Sequence, residues 1–198
     1  MKKNSPLSDE ALNQLFREAR TPNTFTDDPV SDQTVRDLYD LVKQGPSAYN
    51  SQPLRLVFLR PGAPRERLLP FMAPGNVSKV RSAPMTAIAA VDADFHENIP
   101  QVFPHAPELK DSFGDVDARR EMGTLNAALQ LGLLVAGVRA LGLAAGPITG
   151  FDRDSVSSEF FPEQNRFALA LVNIGYPGPD AWERKLPRLR FDQAATIL

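Results

Sequence analysis

Four short polar clusters carry most of the chemistry that this sequence could do: ARTPN (19–23), PSAYNSQ (46–52), GNVSK (75–79) and KLPRLR (185–190). Each stands at the edge of a predicted element rather than along an exposed helical face. Together they supply cations, hydroxyls and amides. Arg, Lys, Ser and Thr donate to phosphate oxygens, and side-chain amides match a ring edge of alternating carbonyls and N–H groups. Taken singly, each cluster is also ordinary turn or surface chemistry. Their joint occurrence points to a ligand with an anionic end and a polar ring edge, and a flavin mononucleotide has both.

Other chemistries lack their anchors. No G-x-G-x-x-G follows a strand, and neither G-x-x-x-x-G-K-[ST] nor G-x-S-x-G occurs. His96 and His105 show no H-E-x-x-H pairing, so a metal site is not expected. The chain has no cysteine, which excludes disulfides, thiolate nucleophiles and Cys-bound clusters. With no acid–base or nucleophilic constellation in view, an enzyme built on this chain would leave the hard step to a cofactor.

The elements that must position these clusters follow from periodicity. Among 198 residues, 42% are apolar and 23% charged, enough for one domain spanning 1–198 with a full core. After Ser8 and Asp9, the residues Leu12, Leu15, Phe16 and Ala19 recur at helical spacing. A second helix opens at Ser31 or Asp32, carries Val35, Leu38, Leu41 and Val42, and stops at Gly45. The runs 54–59, 84–93 and 166–177 read as interior strands. Between the last two lies a long helix whose Gly123, Ala127, Ala128, Gly132, Ala136 and Gly137 leave room for other backbones, a partner subunit's included. Its apolar end and the residues after it, 129–148, include Gln130, Arg139 and Pro147, and read as a buried helix followed by a strand rather than a membrane span. The irregular segment 96–115 reads as a lid or binding loop.

With 22 basic against 24 acidic residues, neither nucleic acid nor an acidic membrane is expected as a partner. Lys2 and Lys3 precede no apolar run of the secretory kind, so a cytoplasmic protein is expected.

From 19 to 59 the chain resembles the opening of the flavin-dependent nitroreductase superfamily, in which an R-[ST]-x-x-x-F segment precedes a helix and P-S-x-x-N-x-Q-P leads into a strand. The resemblance continues through GNVSKVRSAP, the long helix and GPITGFD (146–152), covering about Leu12 to Ala195. Within the superfamily it is similar to the branch that includes malonic semialdehyde reductases. It implies an α+β fold with a central mixed sheet flanked by helices. It also implies an intertwined homodimer with FMN at the subunit interface.

By the same resemblance, Arg20, Thr21 and Asn23 approach the flavin phosphate. Pro46, Ser47, Ala48, Asn50 and Gln52 approach other polar parts, in part from the second subunit. Asn76 and Lys79 face the pyrimidine edge. Pro147, Ile148, Thr149 and Gly150 form the backbone turn beside N5, and Lys185 and Arg188 close the phosphate site. Two departures stand out: Ala19 and Asn23 occupy positions that are basic in many members, and Thr149 replaces a frequent acidic residue.

The implied activity is hydride transfer from NADH or NADPH through flavin N5 to a small acceptor, malonic semialdehyde giving 3-hydroxypropionate. Arg55, Arg81 or Lys110 would bind its carboxylate, and solvent or His105 would supply the proton. A general reductase of nitro compounds, quinones or enones is the alternative, and a non-catalytic flavin binder the second.

Overall fold

The computed structural model describes residues 5–198, so Lys2 and Lys3 lie outside it. Ser31 starts helix α2 (Asp32–Val42), its Oγ accepting from Thr34 N at 3.0 Å, and the helix buries Leu38 and Val42. Leu41, on the same predicted stripe, is 49% exposed.

The segment before it differs from a regular amphipathic helix. Helix α1 (Asp9–Leu12) is a single turn, and residues Asn13–Arg17 continue it with π winding, closed by Glu18 N donating to Asn13 O at 2.9 Å. The wider winding rotates Phe16 off the predicted stripe, and it is 61% exposed. This segment is tied down by polar bonds instead: Gln14 Nε2 donates to Arg139 O at 2.6 Å, and Arg139 Nη1 donates to Leu15 O at 3.0 Å.

The sheet is built from β1 (Leu54–Leu59), β2 (Met85–Asp92), β3 (Ala144–Ile148) and β4 (Arg166–Gly175), in the order β1-β2-β4-β3. Every pairing is antiparallel, where a mixed sheet was expected; strand direction follows from the connections, which local sequence does not encode. All eight residues of β2 are buried because helices cover both faces of the sheet. On one face, α3 (Ala63–Leu68), α4 (Pro74–Ser82) and α7 (Arg153–Phe160) contribute Leu68, Val80 and Val156 against Ile88 and Leu171. On the other, α2 and the long helix α6 (Val116–Ala140) contribute Leu38, Leu134 and Val138 against Ala87 and Val172. Two short helices complete the chain, α5 (Ile99–Val102) and α8 (Phe191–Ala194).

The small residues of α6 divide into two sets. A Cβ on Gly137 would stand 2.5 Å from Val42 Cγ1, so α2 crosses there in close contact. A Cβ on Gly132 would meet nothing within 4 Å; this face points outward. Helix α6 is long and apolar enough by composition to cross a membrane, but it buries Asn126, Gln130 and Leu134 in the fold.

Arg65, 1% exposed, joins α3 to the last residue of β1 and to Ala83, which caps α4 just before β2, by donating to Leu59 O at 2.9 Å and to Ala83 O. Burial pushes its guanidinium down to about 10, still cationic at neutral pH. Arg65→Met should leave two buried carbonyls unpaired while relieving a buried charge, a net loss of roughly 2 kcal/mol. Thermal denaturation should show a midpoint about 4–8 °C lower. An unchanged midpoint would show that Arg65 does not secure these segments.

Candidate functional site

Asn173 is the one amide in the apolar run of β4, and it is 1% exposed. It accepts from Thr86 Oγ1 at 2.8 Å and donates Nδ2 to Lys79 O at 3.0 Å, which fixes the end of α4 against the sheet. The start of α4 is fixed by the turn after β3: Ala73 N donates to Gly150 O at 3.0 Å, and Asn76 Nδ2 donates to the same oxygen at 3.1 Å. A Cβ at Gly150 would lie 2.6 Å from Asn76 Nδ2, so glycine is what permits this contact. Asn76 and Lys79, one helical turn apart, therefore line a cleft of about 250 Å³ with Thr21 and with Pro147, Ile148, Thr149 and Gly150. Pro147 and Ile148 belong to strand β3 and not to the turn, which is Thr149–Gly150. Proline is tolerated there because β3 is an edge strand.

Thr21 and Lys79 also line a second cleft of about 330 Å³, so the two adjoin. This one is cationic. Arg20, Lys79, Arg139, Arg184, Lys185 and Arg188 line it against a single carboxylate residue, Glu183, and Asn23 sits at its edge. Among the described residues none of the six cations makes an ion pair. Four of them are held instead by neutral groups. Arg20 donates to Glu183 O at 3.2 Å and lies over the Trp182 ring, Lys185 donates to Arg17 O, and Arg188 donates to Leu186 O at 2.9 Å. Arg139 Nε is buried without a partner, and burial lowers the guanidinium's pKa. Uncompensated cations around one concavity create a positive potential that an anion such as a phosphate monoester would neutralise. Arg139 and Arg184 were missed in sequence. Arg139 offers the signal of a cation in an apolar helix, and it lines the same cleft as Ala19.

The cluster at 46–52 goes elsewhere. Tyr49, Asn50 and Gln52 all hold left-handed backbone, with φ of 53°, 50° and 44°. Such conformations cost of order 1–3 kcal/mol each and persist where surroundings over-determine them. Here α6 does so: Asn126 Oδ1 accepts from Ala48 N at 2.7 Å, and Gln130 Oε1 from Leu54 N at 3.0 Å. Ser47 Oγ accepts from Gln52 N, Asn50 Nδ2 donates to Val102 O, and Gln52 Nε2 donates to Asn50 Oδ1. Neither Pro46, Ser47, Ala48, Asn50 nor Gln52 lines the clefts around Lys79. Gln52 lines a separate groove of about 420 Å³ along β1.

The three cations considered for a substrate carboxylate are also elsewhere. Arg55 pairs with Asp92 at 2.9 Å, Lys110 with Glu97 at 2.5 Å and Arg81 with Glu66 at 4.0 Å. His105 stacks on Phe103 with ring centres 3.8 Å apart and lines neither cleft.

Comparison with known proteins agrees with this architecture. The Nitroreductase family profile matches residues 3–176. A Streptomyces coelicolor protein provisionally named NADH dehydrogenase/NAD(P)H nitroreductase is 51% identical over 97% of this chain and 98% of its own length. Among solved structures, an Exiguobacterium sibiricum nitroreductase-like protein in complex with FMN superposes with a TM-score of 0.85 at 17% identity, covering 99% of this chain and all of that one. An enone reductase of gut-bacterial fatty acid saturation gives a TM-score of 0.81 at 15% identity, covering 96% and 99%. Sequence profile, relatives and fold agree that this chain belongs to the nitroreductase family.

Proposed function

We propose that the chain is an NAD(P)H-dependent oxidoreductase that works through bound FMN. The carrying observation is the cationic cleft, six cations without an ion pair among the described residues, adjoining the Asn76–Gly150 cleft through Thr21 and Lys79. The names of its relatives point the same way. Bound flavin would relay hydride between NADH or NADPH and a small acceptor. Arg20, Thr21, Arg139, Lys185 and Arg188 would hold the phosphate, with Asn23 beside them. Lys79 would favour negative charge on the ring's pyrimidine edge, since an opposite charge stabilises the ionised form. Asn76 and the Thr149–Gly150 backbone would fix the ring's orientation.

The proposed assembly is a homodimer in which the partner's 46–52 turn completes each site. It accounts for two features of the single chain: a strained polar turn that reaches neither cleft, and an outward α6 face carrying Leu125, Leu129 and Leu133 at 64%, 54% and 37% exposure. The reading keeps the protein in the cytoplasm with its nicotinamide donor.

The finer proposal for the acceptor is malonic semialdehyde. Lys79, the one cation lining the Asn76–Gly150 cleft among the described residues, would then receive its carboxylate. A nitroarene turned over at rates that the semialdehyde does not approach would replace that acceptor and leave the flavin reading standing.

The test of the flavin reading is an absorption spectrum of protein reconstituted with FMN, followed anaerobically by one equivalent of NADPH. Flavin bands that survive removal of excess FMN and then bleach support it; a colourless protein sinks it. In the same assay Asn76→Ala/Lys79→Ala should bleach at least tenfold more slowly, while the thermal midpoint falls only by the few degrees that loss of the Asn76–Gly150 hydrogen bond accounts for. Wild-type rates would remove them from the site.

A further inference from the structure

Reduction of a carbonyl needs a proton as well as a hydride, and a single chain offers no free source beside the acceptor. The Asn76–Gly150 cleft is lined by Thr21, Pro22, Asn76, Lys79 and residues 146–150, with no histidine, carboxylate or phenol among the described residues. Lys79 is its one ionisable group, and the reading above gives Lys79 to the acceptor's carboxylate. The cationic cleft adds only Glu183, at the end read as the phosphate site. His105 lines neither cleft.

The 46–52 turn, which the reading above brings from the partner, carries a better candidate. Ser47 Oγ accepts from Gln52 N, Ser51 is 1% exposed, and the Asn50 and Gln52 amides bond to Val102 O and to each other. Tyr49 is the one ionisable side chain of the turn, and it is 48% exposed. Two rings fix its position: Phe103 and Phe113 meet it edge-on, with centroids 6.0 and 5.9 Å away. Those rings are held in turn. Phe113 packs on Phe95 and its carbonyl accepts from Arg119 Nη1 at 2.7 Å, while Val102 O, next to Phe103, accepts from Asn50 Nδ2 at 2.8 Å. Tyr49 also keeps a left-handed backbone, which is rare for an aromatic residue and persists only where its surroundings impose it. A half-open phenol in a fixed aromatic frame is a preorganised donor.

Resting on the flavin and homodimer reading above, we propose that Tyr49 is the proton donor of the other subunit's site. In the step, hydride relayed from NADH or NADPH bonds to the aldehyde carbon, the C=O π pair moves to oxygen, and that oxygen takes the Tyr49 Oη proton. The nicotinamide is oxidised, the aldehyde is reduced to the alcohol, and the phenolate recovers its proton from water at its exposed edge.

Tyr49→Phe keeps the ring and its packing and removes only the hydroxyl. In FMN-loaded protein it should slow anaerobic reoxidation by malonic semialdehyde about a hundredfold, within the range of a positioned acid, while NADPH still bleaches the flavin at the wild-type rate. Binding of 3-hydroxypropionate to the oxidised protein, read from flavin fluorescence, should weaken about threefold to tenfold, the scale of one neutral hydrogen bond. Action across the interface is read from a heterodimer of Tyr49→Phe and Asn76→Ala/Lys79→Ala subunits. One of its two sites combines an intact cleft with an intact turn, so about half the wild-type reoxidation rate should return. No return would overturn the proposal. So would wild-type reoxidation in Tyr49→Phe, equal slowing of both half-reactions, or slowing confined to His105→Asn, which would move the proton to that imidazole. Malonic semialdehyde that fails to reoxidise the wild-type protein also overturns it, and leaves the flavin reading standing. A wild type that NADPH does not bleach overturns both.

Discussion

Leu129→Arg is expected to turn the protein into a monomer that no longer retains flavin. Residues Leu125, Leu129 and Leu133 fall at four-residue spacing on the outward face of α6, with exposed Ala128 and Gly132 beside them. Exposed leucines in a row around an open glycine are what a second helix can approach closely, and contiguous apolar patches of this kind mark association sites. About a two-fold axis the same patch meets itself, so one substitution places two guanidinium groups in the interface. Desolvating unpaired charge costs several kcal/mol, enough to raise the dimer dissociation constant by roughly a hundredfold or more. The substitution is benign for the chain itself, because Leu129 is 54% exposed and arginine is a good helix former. Sedimentation velocity at micromolar concentration should show a monomer with unchanged far-ultraviolet circular dichroism. FMN should wash away, because in the proposed dimer the partner's 46–52 turn completes the cleft. A variant that stayed dimeric and yellow would place the interface elsewhere.

The parts of this architecture that were legible in sequence are those where one local signal dominates. Strands β1, β2 and β4 are continuous apolar runs, and the Ser31 cap with the Leu38–Val42 stripe marks α2 without competition. The strand after α6 was expected, but AAGPI did not mark where strand gives way to turn, and Pro147 and Ile148 fell on the wrong side. The π winding at Asn13–Arg17 escapes a 3.6-residue pattern by definition, which is why Phe16 was assigned to a buried stripe.

In the site, the clusters at 19–23, 75–79, 146–150 and 185–190 do converge. The 46–52 cluster does not join them in one chain, and no local feature could say on which subunit a residue acts. Asn126, Gln130, Arg139 and Asn173 were visible as isolated polar residues in apolar elements. What sequence withheld was the partner each one finds: backbone N–H groups of the 46–54 segment, the carbonyl of Lys79, and, for Arg139, the carbonyl of Leu15.

Arg139 gives the second large expectation: Arg139→Met should weaken FMN binding by about tenfold to a hundredfold and leave riboflavin binding nearly unchanged. A charge-assisted hydrogen bond contributes roughly 1.5–3 kcal/mol, and each 1.4 kcal/mol is tenfold in affinity. Arg139 is suited to supply it, because its charge is desolvated, makes no ion pair among the described residues and lines the cleft with Arg20 and Lys185. The competing role is structural: its Nη1 holds Leu15 O and so anchors the π-wound segment. Riboflavin separates the two, since it carries the ring and ribityl chain but no phosphate. If Arg139 acts on the phosphate, the ratio of FMN to riboflavin affinity falls, and Arg139→Lys recovers part of it through the retained charge. If Arg139 only props up α1, both ligands weaken together and lysine, unable to reproduce the guanidinium fork, rescues neither. In the first case the cation missing at Ala19 has been supplied from a helix about 120 residues further along the chain. The anion-binding end of the site is then set by a charge in space and not by a position in sequence.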